Sequence, residues 1–322
     1  MNIDYLFIVA VSFIIVFLIT PNIRYIALKF YAIDKIGKRK IHKKIVTKLG
    51  GLAIYLGFLG GIFILVIFDL IFFKINFYPF TSLLICSSLM LILGIYDDFQ
   101  GSDAWIKFAI QTIIALFVIK SGFVLASISL PGLVDFKLGV FSIPVTLFWI
   151  VGIVNAVNLI DGLDGLAAGV VGIALVFISI FGLILKDNFI VCVSLALSAA
   201  CFSFLKYNFF PAKIFMGDTG SLFLGLVIAC LGIYKPLSHS NSPYFIPTII
   251  VLFLPILDTF LAMARRLLRK QNVFSGDSSH MHHYFLKHGF NQAQTALRFY
   301  LMTFILGVIS LFVFKLILKL SV

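Results

Sequence analysis

Long runs of apolar side chains, repeated along nearly the whole chain, constrain this sequence more than any other feature. A helix needs about 20 apolar residues to cross the hydrocarbon core of a bilayer. Segments of that kind fall at about 3–20, 51–73, 78–96, 107–126, 139–157, 164–185, 189–206, 219–235, 246–263 and 295–318. They are too many and too long to be the buried helices of a soluble core. In lipid each backbone N–H and C=O must be satisfied inside its own segment, so the runs are expected to be helical. Of the 322 residues, 61% are hydrophobic and only 12% charged, against about 25% charged in soluble domains. All 13 acidic residues are Asp and none is Glu, which agrees with little water-facing helical surface. The expectation is an all-α, polytopic transmembrane bundle of about ten spans. It reads as a single domain over residues 1–322, without internal repeats or low-complexity linkers.

The net charge is +12, which in a soluble chain would suggest a nucleic-acid partner. Placement argues otherwise. Orienting the spans by Lys and Arg in the loops puts 18 of the 25 basic residues on one side, and that side is expected to be cytoplasmic. Both termini then face the periplasm. The basic excess reads as topology and attraction to anionic headgroups, not as a nucleic-acid surface. The four cysteines, Cys86, Cys192, Cys201 and Cys230, lie in apolar runs with no Cys-x-x-Cys pair; they read as small buried hydrophobes. Met1–Asp4 lacks the basic stretch of a secretory signal, so the first apolar run is expected to be a retained span.

The inner loops fall at about 21–50, 97–106, 157–164, 207–218 and 264–294. They carry five polar clusters: Arg39–Gly51, Asp97-Asp98, Asn155–Asp164, Asn208–Ser221 and Asp277–His283. The outer side has only scattered Asp4, Asp69, Asp135 and Asp187. Orientation used Lys and Arg alone, so this segregation of Asp, Asn and His is an independent observation. Five clusters on one face can converge on one site.

Asp97 and Asp98 follow an apolar run directly. Adjacent like charges at a membrane boundary repel and are costly to desolvate, which a divalent cation or a basic partner relieves. Mg²⁺ suits such a place because it takes one or two carboxylates, with phosphates and waters completing its shell; a solvated helix end is the plainer alternative. Asn158, Asp161 and Asp164 recur every three residues, and on a helix neighbouring members share a face. Gly162 and Gly165 argue for a broken backbone there. In Met216-Gly-Asp-Thr-Gly-Ser221 an Asp sits between glycines before an apolar run. Such a turn can hold an anion at a helix N-terminus, and a simple helix cap explains it equally well. His280-Met-His-His283 follows Arg265, Arg266, Arg269 and Lys270. Histidines among cations suit phosphate better than zinc, because no Cys or Glu ligand accompanies them. Asp258 lies inside an apolar run, two turns from Arg265; a functional carboxylate and a structural pair with Arg265 both remain open.

Taken together, these stretches resemble the polyprenyl-phosphate N-acetylhexosamine-1-phosphate transferase family. They are Arg39-Lys-Ile-His42 with Gly50-Gly51, Asp97-Asp98, Asn155–Gly169, Asn208–Ser221, Asp258 and His280–His283, in family order over nearly the whole chain. The resemblance implies a helical bundle with a cytoplasmic active site in the bacterial inner membrane. It implies transfer of a sugar 1-phosphate, GlcNAc-1-phosphate foremost, from a UDP-N-acetylhexosamine to undecaprenyl or another polyprenyl phosphate. UMP is released, as a first membrane step toward O-antigen, common antigen or teichoic acid. It also implies Mg²⁺, with Mn²⁺ as a substitute, held by Asp98 and Asp218. Asp97, Asp98, Asp161 and Asp164 would carry the chemistry, with Asp97 positioning or deprotonating the lipid phosphate. Lys48, Asn158, Asp161, Asn208, Phe215, Gly217, Arg265, His282 and His283 would hold donor and phosphates, Phe215 by stacking on uracil. Direct attack and a covalent aspartyl-phosphate route both stay open.

His-Met-His-His and Val46-Thr-Lys-Leu49 depart from the muramoyl-pentapeptide branch, which typically shows three successive histidines and Thr-Pro-Thr. That branch, and donors carrying other UDP-N-acetyl-deoxysugars, are the alternatives. A transporter is the rival from another class, but it would place polar groups at the midplane in two related halves. A scaffold would not need so many carboxylates on one face. A homo-oligomer is compatible with the sequence.

Overall fold

Each expected apolar segment is helical in the computed structural model, which describes residues 3–34, 46–72, 78–128, 136–235, 242–270 and 280–320. The expectations that rest on Arg39–His42, Asp135 and Asp277 lie outside the described residues. The helices are α1 (Ile3–Lys29), α2 (Gly50–Phe72), α3 (Tyr78–Gln100), α4 (Ala104–Lys120), α5 (Ser142–Ile160) and α6 (Leu166–Leu185). They continue as α7 (Asn188–Asn208), α8 (Gly217–Ile233), α9 (Phe245–Val251), α10 (Phe253–Leu268), α11 (Met281–Lys287) and α12 (Gln292–Leu320). Two small antiparallel pairs accompany them, β1 (Ile33–Asp34) with β2 (Val46–Thr47) and β3 (Ser127–Ile128) with β4 (Phe136–Lys137).

Seven of the described helices are long and apolar enough to cross a membrane, and an eighth crossing results if α9 and α10 form one span. The expected ten are reached only by also counting α4 and α8. At 17 residues each, these lie at the short limit of what spans a bilayer, about 17 residues. The ninth expected span is broken: α9 and α10 meet at Leu252 with a 73° bend. Two ends also move. α3 runs on through Gln100, so Asp97 and Asp98 sit on a helix and not in a loop. α1 continues past residue 20 through Pro21 to Lys29. A proline donates no hydrogen bond to the carbonyl four residues back, and here the Tyr207 hydroxyl of α7 donates to Phe17 O at 2.8 Å.

α8 is the central helix. Every side chain from Thr219 to Ile233 is buried, and it packs against α2, α3 and α5. Hydrocarbon tails are as apolar as leucine, so close backbone approach, made by small residues, drives such packing. Glycine stands at each crossing. A Cβ on Gly51 of α2 would overlap the Gly220 backbone, one on Gly94 of α3 would overlap Asp218, and one on Gly225 would lie 2.7 Å from Val154 Cα of α5. Large exposed apolar side chains line the outer faces of α1, α3, α4, α10 and α12, as Phe13, Ile92, Phe117, Phe260 and Phe312 show. This tight packing sets the N-terminus of α8, with Asp218, among the ends of the surrounding helices.

Candidate active site

The turn entering α8 is held by groups distant in sequence. Gly217 has φ of +71°, a left-handed conformation that costs glycine little, and a Cβ there would overlap the Asp98 carboxylate. Asp98, 5% exposed, accepts hydrogen bonds from Asp218 N at 3.1 Å, Thr219 N at 3.0 Å and Thr219 Oγ1 at 2.7 Å. It caps α8 from another helix, placing an anion where the free N–H groups and the helix dipole favour one. The first inner loop is stitched to the same turn. Phe215 N donates to Thr47 O at 2.8 Å, while Gly50 N and Gly51 N donate to Phe215 O and Met216 O at 2.9 Å. Lys48 therefore lies 3.6 Å from Asp98 Oδ1 and 3.8 Å from Asp34 Oδ1.

Asp218 has two kinds of neighbour. Asn158 Nδ2 donates to its Oδ1 at 2.9 Å and also to Ser221 Oγ at 2.9 Å. Lys107 of α4 pairs with its other oxygen and stands 3.6 Å from Asp97 Oδ2. Asp97 also accepts from Ser102 Oγ.

The three-residue spacing of Asn158, Asp161 and Asp164 does not become one helical face. α5 stops at Ile160, Asp161 is its C-cap, and a turn follows in which Gly165 has φ of +74°. The glycines expected to break the backbone do so. Asp164 Oδ2 accepts from Ala212 N at 2.9 Å. Asn208, 2% exposed, accepts from Gly165 N at 3.1 Å and donates to Ile214 O at 3.0 Å. These two side chains tie the strand-like segment before α8 to the turn after α5. Asp161 is half-buried. Burial, followed by the nearby charges of Asp98 and Asp164, raises its carboxyl well above the usual range.

α11 brings the histidines. His280 and His282 stack with ring centroids 5.5 Å apart, and His283 lies 4.4 Å from His282. His282 is 2% exposed, and its Nδ1 is buried without a hydrogen-bond partner among the described residues. A Cβ on Gly162 would lie 2.9 Å from its ring. Burial first, then His283 and His280, lower its pKa to about 3, so the ring is neutral at ordinary pH. His280 Nδ1 lies 3.0 Å from Asp258 Oδ2.

All five inner loops meet around one cavity of about 370 Å³. Asp34 and Lys48 line it from the first loop, Asp98 from α3, Asp161, Gly162 and Asp164 from the turn after α5, and Asn208, Phe215, Gly217 and Asp218 from the approach to α8. His280, His282, His283 and Gln292 close it. Asp97 and Asn158 stand behind this wall and act on it through Lys107 and Asp218. Arg265, expected at the substrate, is not among the lining residues. Among the described residues no three metal-ligating side chains form a ready-made cage. Mg²⁺ asks for less, one or two carboxylates with substrate phosphates and water. Asp218 with Asp161 or Asp98 could meet that demand, and a cation would relieve the burial and the repulsion from Asp98 and Asp164 that raise Asp161.

Comparison with known proteins identifies the family. Residues 80–235 match the model of glycosyl transferase family 4. A probable undecaprenyl-phosphate N-acetylglucosaminyl 1-phosphate transferase of Bacillus subtilis is 39% identical over 302 residues, covering 92% of this chain and 82% of that protein. The chain belongs to glycosyl transferase family 4. Other family relatives include the decaprenyl-phosphate N-acetylglucosaminephosphotransferase of Mycobacterium tuberculosis, 32% identical over 313 residues, or 89% of this chain and 77% of that one. A phospho-N-acetylmuramoyl-pentapeptide-transferase of Streptococcus thermophilus is 33% identical over 245 residues, 69% of each chain. The family segment holds Asp97, Asp98, Asn158, Asp161, Asp164, Asn208 and Asp218 but not Lys48 or the histidines.

Sequence reasoning missed Asp34, Lys107, Gln292 and, as an individual site residue, His280. Lys107 had a signal: a lone cation at the head of an apolar segment, ten residues after Asp97. Asp34 and Gln292 had none.

Proposed function

We propose that this family 4 protein transfers GlcNAc-1-phosphate from UDP-GlcNAc to undecaprenyl phosphate, releasing UMP. The reaction belongs at the cytoplasmic face of a bacterial inner membrane, as an early step toward a cell-surface polysaccharide. One observation carries the reading: carboxylates from α3, the turn after α5 and the start of α8 line a single cavity with Lys48 and three histidines. That combination suits a diphosphate. The 39% identity to a protein named for this activity favours GlcNAc over a muramoyl-pentapeptide donor.

In the proposed reaction a lipid-phosphate oxygen attacks the sugar-bearing phosphorus. The new P–O bond forms as the bond to the bridging oxygen breaks, and UMP leaves. Such a transfer asks for positioning and charge neutralisation more than for covalent chemistry. Asp218, with Asp161 or Asp98, would hold Mg²⁺, whose contribution when bound is to offset phosphate charge. Lys48 and the histidines receive the remaining anionic oxygens, and Phe215 offers a ring to the uracil. Asn158 and Lys107 fix the Asp218 carboxylate. Asp98 already accepts three hydrogen bonds and Asp97 is held by Ser102 and Lys107, which favours direct attack over an aspartyl-phosphate.

The test is a panel. Purified protein in detergent or vesicles is given Mg²⁺, undecaprenyl phosphate and UDP-GlcNAc, UDP-GalNAc, UDP-MurNAc-pentapeptide or a UDP-N-acetyl-deoxysugar. UMP release with UDP-GlcNAc above the rest supports the proposal. Preference for another donor moves the substrate, and no UMP from any donor overturns the reading.

A further inference from the structure

Lys107 stands behind the cavity wall, half-buried between carboxylates from two other helices. It pairs with Asp218 Oδ2 of α8 and lies 3.6 Å from Asp97 Oδ2 of α3. Its backbone is well held. Asp103 caps the start of α4 by accepting from Trp105 N at 2.8 Å, and one turn beyond Lys107 the Gln111 side chain accepts from Asn155 of α5 at 2.8 Å. The ammonium itself sits at the end of a flexible four-carbon stem.

Both oxygens of the Asp218 carboxylate are engaged, Oδ1 by Asn158 and Oδ2 by Lys107. A divalent ion reaching this carboxylate must share it with these partners or displace one. Asn158 is neutral, and its amide also donates to Ser221 Oγ at 2.9 Å, so it is tied to the helix that carries Asp218. Lys107 has the same sign of charge as the ion. Its side chain is 16% exposed and that of Asp218 22%, so little water screens the repulsion between two cations on one carboxylate. Lys107 also has a second seat. Asp97, itself held by Ser102 Oγ, is within reach of the same ammonium without any movement of α4.

We propose that Lys107 competes with a divalent cation for Asp218, and that Asp97 is the seat the lysine takes when the cation is bound. This rests on the reading above that Asp218 holds Mg²⁺. Lys107 is then a positioning residue that sets how tightly the site takes its metal, and Asp97 acts on the metal through it. A lysine that served only to hold α4 in place gives the opposite sign: its loss leaves Asp218 less well placed and weakens metal uptake.

The experiment is titration of Mn²⁺ into detergent-purified protein, with the free ion read by electron paramagnetic resonance. The proteins are wild type, Asp218→Asn, Lys107→Met, Lys107→Arg, Asp97→Asn and the double variant of Lys107→Met with Asp97→Asn. Asp218→Asn should lose Mn²⁺ binding. Lys107→Met should bind about tenfold more tightly, the scale of one hydrogen bond to a charged group, and Lys107→Arg should stay near wild type. Asp97→Asn should weaken binding in the wild-type background and leave it unchanged in the Lys107→Met background. Unchanged or weaker binding in Lys107→Met, or an equal Asp97→Asn loss in both backgrounds, would overturn the proposal. If Lys107→Met does not fold, Lys107→Gln decides by the same comparison. Mn²⁺ uptake that is absent from wild type or survives in Asp218→Asn defeats the metal reading and this inference with it. Uptake that needs Asp218 but ignores Lys107 overturns this inference alone.

Discussion

Asp98→Ala is expected to cost stability as well as activity, because Asp98 holds the start of the central helix. Its carboxylate receives two backbone N–H groups and the Thr219 hydroxyl, all at 2.7–3.1 Å. Alanine leaves those donors without an acceptor. The hydroxyl can rotate to another partner; the two N–H groups cannot. An unsatisfied buried donor costs about 1–3 kcal/mol, so the substitution should cost about 2–6 kcal/mol. Against a typical total of about 5–15 kcal/mol that is a large share. Thr219→Val removes only the 2.7 Å hydroxyl bond and should cost about 1–2 kcal/mol while UMP release persists. The assay is denaturant unfolding in micelles followed by circular dichroism, with UMP release measured on the same samples. If Asp98→Ala unfolds at the wild-type midpoint and loses only turnover, Asp98 is a ligand or nucleophile and the capping argument is wrong.

Lys107 is the cation that Asp97 and Asp218 share, so Lys107→Met should lower UMP release at least about tenfold, the scale of one lost charged hydrogen bond, with Lys107→Arg retaining more. Gly94→Ala places a Cβ into the Asp218 backbone and should abolish accumulation of folded protein in membranes, whereas Gly152→Ala, with open space around it, should be tolerated in the same fractionation assay. His282 is depressed to about 3 by burial, then by His283 and His280. The unfolded ring titrates near about 6.5, so the unfolded state binds the extra proton first. Stability should therefore fall as pH drops from about 6.5 toward about 3, and His282→Gln should flatten that fall in unfolding titrations across pH. Asp161 has the opposite sign, since its folded carboxyl is raised by burial, then by Asp98 and Asp164. Stability should fall as pH rises above the ordinary Asp value of about 3.9, and Asp161→Asn should remove that slope.

The helices and the one-sidedness of the polar clusters were legible because a bilayer leaves few alternatives. Apolar length sets a span, and spans that alternate in direction bring every second loop to the same end of the bundle. The break at Leu252 was legible but went unread: Phe245–Leu268 reads as one apolar run, yet Pro255 donates no hydrogen bond to the Val251 carbonyl four residues back and its ring crowds that carbonyl, which is where α9 ends. The site was legible as a set of residues and not as a division of labour. Asp97, Asp98, Asp161, Asp164, Asp218 and Asp258 are the same side chain in six local sequences, and sequence spacing cannot tell which oxygens backbone N–H groups will occupy. Those partners come from residues 23 to 121 positions away: Thr219 for Asp98, Ala212 for Asp164, Met281 for Asp258. What they leave decides chemistry. Asp98, Asp164 and Asp258 accept backbone donors and so build the cavity. Among the described residues the Asp218 carboxylate is held by the side chains of Asn158 and Lys107, which can yield to a cation more readily than a helix terminus can. Asp161, its carboxyl raised by burial and then by Asp98 and Asp164 against one backbone hydrogen bond from Gly217, is a group a cation would stabilise. On that ground Asp218, more than the Asp98 that the motifs paired with it, is where a divalent ion would gain most and the fold lose least.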